Sequence, residues 1–190
     1  MTDIWNWVSA RVRLRVFGVA SLIAFAMSYY VAVTGDVLRT TVTPLGIVSL
    51  QLAGTPENAQ IMYAAWGRTG MDAARFNITI DFLYLVSYGI AVSIGCSLAS
   101  GWWARRSVRM AALGPLASIL VLVAAACDAA ENLVMLQGMQ EVGNPLWPML
   151  AKLFAFVKFA LLPLGLLYLM TGAFTRIGTR NRPQPVAPPQ

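Results

Sequence analysis

Long apolar blocks alternate with short polar stretches along the chain. They run from Val16 to Thr34, Ile78 to Ser100, Met110 to Leu136 and Leu150 to Met170. A helix needs about 20 apolar residues to cross a bilayer, and each block comes close to that length or exceeds it. The pattern predicts an all-α fold, a transmembrane bundle of four helices spanning about 16–34, 78–100, 110–136 and 150–170. The first block follows basic residues, as a cleaved signal peptide would. No small-x-small cleavage site follows it, and Tyr29 and Tyr30 have the character of interfacial anchors. It is therefore read as a retained span.

Residues 35–77 form a long loop between the first two spans. In LGIVSLQLAG, Val48, Leu50 and Leu52 alternate with Ser49 and Gln51, which predicts a short strand or an extended interfacial segment. TPENAQIMYAAWGRTG then opens with a helix start: Thr55 as N-cap, Pro56 at the first position and Glu57 in the first turn. Ile61, Met62, Ala65 and Trp66 make one apolar face, closed by Gly67 and Gly70. This predicts a small outer cap with one short amphipathic helix, either resting on the bundle or serving as a lid over a cavity. Residues 1–15 form an N-terminal segment, residues 16–172 the membrane domain and residues 173–190 a tail. NRPQPVAPPQ, from Asn181, has the proline-rich polar composition of a disordered end.

Composition agrees with the block pattern. Of 190 residues, 58% are hydrophobic and only 12% charged, with a net charge of +6. A soluble domain carries about a quarter charged residues. In a soluble chain this basic balance would point to nucleic acid. Here the basic residues flank apolar blocks, so membrane topology explains them and no nucleic-acid partner is expected. Arg11, Arg13 and Arg15 precede the first span. Arg105, Arg106 and Arg109 fill the turn between the second and third, and Arg176, Arg180 and Arg182 follow the fourth. An even number of crossings puts all three groups on one side. The opposite side has Arg39, Arg68 and Arg75, spread among Asp36, Glu57, Asp72 and Glu141. The positive-inside rule then places both termini in the cytoplasm of a bacterial-type plasma membrane.

Ionisable groups inside the blocks are the chemical lead. Asp128, Glu131 and Asn132 stand at i, i+3 and i+4 in the third span, on one helical face. Asp81, Tyr84 and Tyr88 share a face of the second, and Lys158 lies in the fourth. At about 1.5 Å per helical residue, Asp81 sits roughly 5 Å from the outer face. Glu131 and Asn132 sit at roughly 6 to 8 Å, and Asp128 and Lys158 at roughly 12 Å. A charge at the bilayer centre costs about 2.5 to 3.5 kcal/mol even on insertion scales. These groups should turn inward, Asp128 to Lys158 and Asp81 to Asn132 or Tyr84. Lys152 lies near the interface and can snorkel. Gly89, Ser93, Ser97 and Gly101 form a small-residue ridge suited to close helix packing.

The chain has no histidine. That excludes His-ligated haem, His-zinc sites and Ser-His or Cys-His nucleophile pairs. Cys96 and Cys127 both fall in spans and read as small apolar residues. No phosphate loop, dinucleotide fingerprint or metal-ligand cluster is found, so no cofactor and no metal are expected. The cluster's first reading is a site for a small lipophile or lipid head group in the outer leaflet, with membrane lipid as partner. The second is a structural network in an accessory subunit of a larger membrane complex. The third is acid–base lipid chemistry or proton-coupled transport on Asp128 or Glu131, transport through four spans calling for a homo-oligomer. The layout of four spans, inside termini and a long first outer loop resembles that of claudin-like proteins. The first loop here lacks a cysteine pair, and the resemblance is one of layout alone.

Overall fold

The computed structural model describes residues 3–180. In chain order these form α1 (Ala10–Gly35), a 3₁₀ turn (Asp36–Leu38), α2 (Ile47–Gln51), α3 (Pro56–Trp103), α4 (Val108–Ala112), α5 (Gly114–Gly138) and α6 (Leu146–Arg180), with no strand among the described residues. Four helical stretches are long and apolar enough to cross a membrane: Ala10–Leu38, Pro56–Trp103, Val108–Gly138 and Leu146–Ile177. In the apolar window of α3, 67% of residues are buried, against 6% in that of α1. α3 is thus the central helix. It packs on both α5 and α6, and α1 rests chiefly on α3 at the edge of the bundle.

Helix starts follow local chemistry. Ser9 Oγ accepts from Val12 N at 3.4 Å and Thr55 Oγ1 from Asn58 N at 3.3 Å, satisfying amides that a first turn leaves open. Pro115 in the first turn of α5 needs no donor there, and the third apolar block is divided into α4 and α5 just before it.

Several boundaries differ from the sequence expectation. Residues 47–51 are a helical turn, not a strand. A strand would need a neighbour to take its backbone hydrogen bonds, whereas Leu52 N reaches Val48 O at 3.2 Å within the turn. The helix begun at Pro56 does not stop at Gly67. It bends there, with Gly67 at φ 58° and ψ −165°, and continues to Trp103. That backbone region is open essentially to glycine alone. Residues 68–77, expected in the loop, therefore belong to the helix of the second span. Residues 10–15 of the expected N-terminal segment are the first turns of α1, and residues 173–180 of the expected tail continue α6. No proline interrupts α6 between Pro163 and its end, so the helix propagates. The remaining tail, residues 181–190, lies outside the described residues.

Trp66 is buried against the loop. Its Nε1 donates to Leu38 O at 2.9 Å and to Thr43 Oγ1 at 3.0 Å, and Thr43 Oγ1 donates to Leu38 O at 2.6 Å. Trp66 thereby ties residues 38–43 to α3. Between α5 and α6, the exposed Glu141 carboxylate accepts from Trp147 Nε1 at 2.8 Å, Gln137 Nε2 at 2.7 Å and Asn144 Nδ2 at 3.1 Å. These bonds favour its charged form and lower its pKa.

The small-residue ridge of α3 is only partly a helix-packing surface. At Gly89 an added Cβ would lie 2.9 Å from Ala125 Cβ, so α5 does approach closely there. Ser93 and Ser97 instead receive the N-terminal segment. Trp5 Nε1 donates to Ser93 Oγ at 2.9 Å, Arg13 Nη1 donates to Ser97 Oγ at 2.9 Å, and the Ser97 hydroxyl donates to Asp3. Arg13 also pairs with Asp3 at 3.1 Å. The start of the chain is thus fastened along α3.

Candidate functional site

The carboxyl groups and the lysine singled out in the sequence form one layer between apolar ones. On the side of the long loop lies the cluster around Trp66, Ile78 and Met135. On the side of the termini lies the cluster around Cys96, Val121 and Tyr168. Leu85, Tyr88 and Ala125 make a smaller apolar group beside the polar layer. α3 contributes Asp81, Tyr84 and Tyr88, α5 contributes Asp128, Glu131 and Asn132, and α6 contributes Lys158. The spacing on α5 turns all three of its polar groups into the bundle, leaving Asp128 at 4%, Glu131 at 0% and Asn132 at 1% exposure.

Lys158 stands at the centre. Its Nζ donates to Asp128 Oδ1 at 2.8 Å and lies 2.9 Å from Glu131 Oε2. Tyr88 Oη donates to the other Asp128 oxygen at 2.8 Å. Asn132 Nδ2 donates to Asp81 Oδ2 at 2.8 Å. All the residues singled out in the sequence except Tyr84 thus meet in two adjoining hydrogen-bonded or ion-paired groups. Tyr84 joins through its ring, which packs on that of Tyr88 with centroids 5.1 Å apart. The helices extend past the apolar blocks, so the layer is deeper than block ends imply. At about 1.5 Å per residue, Asp128 is roughly 15 Å from Gly138 and Lys158 roughly 18 Å from Leu146.

The charges do not balance. Three carboxyl groups (Asp81, Asp128 and Glu131) share the layer with a single lysine. Asp128 has each oxygen hydrogen-bonded. Glu131 does not: neither of its buried oxygens makes a hydrogen bond, and Oε2 meets Lys158 as a charge contact outside hydrogen-bond geometry. A desolvated carboxylate held this way is costly unless paired and fully bonded. Among the described residues, no group of three or more His, Cys, Asp or Glu side chains is arranged to hold a metal ion.

Two grooves reach the edge of this layer. One, of about 320 Å³, runs between α1, α3 and α6 and is lined by Phe17, Ser28, Tyr84, Tyr88 and Leu169 among others. A smaller one, of about 200 Å³, lies toward the long loop and includes Ser28, Arg39, Asn77 and Tyr84. The two share Ser28 and Tyr84. An amphiphile therefore has an apolar bed and, next to it, a hydroxyl, an amide and a guanidinium.

Asn77 had no sequence signal as a site residue. Its Nδ2 donates to Val31 O at 2.9 Å and Thr34 Oγ1 at 3.0 Å, joining α1 to α3 at the mouth of the smaller groove. Asp3 and Trp5 were also missed, because they lie outside every apolar block.

No protein-family model, curated protein or solved structure matches the chain.

Proposed function

We propose that the chain is an integral protein of the plasma membrane, with both termini in the cytoplasm, that binds a small lipophile or lipid from the outer leaflet. The apolar part lies in the groove between α1, α3 and α6. The polar end meets Tyr84, at the edge of the carboxyl–lysine layer. One observation carries this reading. Tyr88 lines the groove and also donates its hydroxyl to Asp128, so a ligand in the groove touches the wall of the charged layer. Ligand pockets are mostly apolar with a few convergent polar groups, which is the composition here. The orientation rests on the arginines gathered at the end of the termini.

The test is extraction and mass spectrometry of lipophiles held by the protein purified in mild detergent. The wild type is expected to retain a stoichiometric lipophile, and Tyr84→Ala to lose it while unfolding cooperatively. Tyr84 is outside the ion-paired triad, so its removal does not strand a buried charge. Retention of nothing by the wild type, or equal retention by Tyr84→Ala, overturns the proposal.

The second reading, a structural network in an accessory subunit, is favoured by the complete internal pairing of Asp128. It makes a different prediction in a double-mutant cycle on Asp128→Asn and Lys158→Met, followed by thermal unfolding. A purely structural pair gives strongly destabilised single variants and a double variant that recovers much of the loss, with no ligand in any of them.

A further inference from the structure

A third groove, of about 350 Å³, flanks α1 and α3 and shares no lining residue with the one beside Tyr84 and Tyr88. Arg15, Val19 and Ile23 of α1 line it together with Leu83, Val86 and Ile90 of α3. Apart from Arg15 and Ser87, its lining is apolar. From Arg15 to Ile23 the groove runs about 12 Å along α1, at about 1.5 Å per residue. Half of a bilayer's hydrocarbon core is about 15 Å. The groove therefore extends through most of one leaflet, with its charged group at the end nearest the termini. Arg15 is exposed and has no acidic partner among the described residues, and the same holds for Arg11 one turn before it. Arg13, between them, is turned inward, 3.1 Å from Asp3 and 2.9 Å from Ser97 Oγ. Ser93 and Ser97 repeat the α3 face of Val86 and Ile90 two turns further on. The N-terminal segment is bonded to both, Trp5 to Ser93 and Asp3 to Ser97. The start of the chain thus covers the continuation of the groove's α3 wall, and Arg15 stands where the groove ends.

That combination is selective. A soluble anion would use Arg15 and gain nothing from the apolar walls. A zwitterionic lipid would cover the walls and bring no net charge to Arg11 and Arg15, which stand four residues apart and repel each other. A phospholipid with a net negative head group does both. Its phosphate meets the planar N–H fork of Arg15, and its acyl chain lies along Val19, Ile23, Val86 and Leu83. Basic sites between transmembrane helices are a recognised place for such head groups. We infer that this groove binds an anionic phospholipid from the leaflet on the side of the termini, independently of the lipophile groove beside Tyr84.

The experiment uses the full chain in mild detergent, with thermal unfolding and native mass spectrometry as readouts. Phosphatidylglycerol is compared with phosphatidylcholine of the same acyl chains. Arg15→Gln is compared with Arg109→Gln, an exposed arginine of the same end that does not line the groove. Val86→Trp fills the groove from an exposed position and leaves Arg15 in place. The expected result is a preference for phosphatidylglycerol that falls about five-fold in Arg15→Gln and stays unchanged in Arg109→Gln. Val86→Trp is expected to lose bound phosphatidylglycerol although its charge is that of the wild type. Unfolding without added lipid checks that each variant is folded. An equal loss in Arg109→Gln would reduce the effect to general surface charge and overturn the site. Full retention of phosphatidylglycerol by Val86→Trp, absence of any preference in the wild type, or displacement of the lipid by millimolar inorganic phosphate would overturn it as well.

Discussion

Glu131 is the side chain held most clearly against its own solvation. It is fully buried, it lies beside a lysine that already hydrogen-bonds Asp128, and neither of its oxygens is hydrogen-bonded. Removing Lys158 leaves two buried carboxyls without a cation. Breaking a buried pair in this way costs about 3 to 5 kcal/mol. Neutralising Glu131 leaves the Lys158–Asp128–Tyr88 chain of bonds intact. Glu131→Gln is therefore expected to leave stability within about 1 kcal/mol of wild type, or to raise it, while Lys158→Met falls by the larger amount. Unfolding of both variants in mild detergent measures the difference. Equal losses would mean that the layer needs all three charges for its structure. A neutral or stabilising Glu131→Gln would mark a residue kept at a cost to stability, as functional groups often are. Much of this layer was legible in the sequence, because a charge inside an apolar block stands out and the spacing on α5 selects one face. The sharing of one lysine by Asp128 and Glu131 was not legible. It depends on how α5 and α6 are rotated together, and that rotation is set by close contacts such as Gly165 against Val121.

The bend in α3 is decided by one backbone position. Gly67 sits at φ 58° and ψ −165°, and the space around an added Cβ is open. Any penalty for a side chain there is therefore a penalty of the backbone alone, about 1 to 3 kcal/mol for a region nearly closed to other residues. Gly67→Ala is expected to destabilise by that amount. Gly18, in the helical run of α1, also has open space around an added Cβ. Gly18→Ala is expected to gain about 0.5 to 1 kcal/mol, because alanine loses less freedom on entering a helix. Paired unfolding curves for the two variants check the opposite signs. A stabilising Gly67→Ala would show that the bend is not required. The apolar blocks made the four long helices readable, and the Thr55–Pro56–Glu57 start was readable from its capping chemistry. The helix ends were not. Hydropathy falls off where the membrane would end, but α3 and α6 continue on backbone hydrogen bonds past that point. The alternation at residues 47–52 misled because period-two spacing over so few residues does not specify a strand without a partner.

For the whole molecule, the decisive asymmetry is in its two ends. Arg11, Arg15, Arg105, Arg106 and Arg109 lie near the end shared by the start of α1 and the close of α3. At the loop end, Arg39 lies 3.6 Å from Asp36 and Arg75 lies 3.3 Å from Asp72. Positive residues near span ends are retained on the cytoplasmic side. Val108, 80% exposed, marks one end, and Val142, 56% exposed, marks the other. In a background carrying Cys96→Ala and Cys127→Ala, Val142→Cys is expected to react with a membrane-impermeant maleimide on intact cells. Val108→Cys is expected to react only after permeabilisation. The opposite pattern would invert the protein, moving the tyrosine-lined groove to the inner leaflet. Labelling of both positions, or of neither, on intact cells would mean that the two ends do not lie on opposite sides of the membrane. The outcome thus fixes which leaflet supplies the lipophile that enters beside Tyr84.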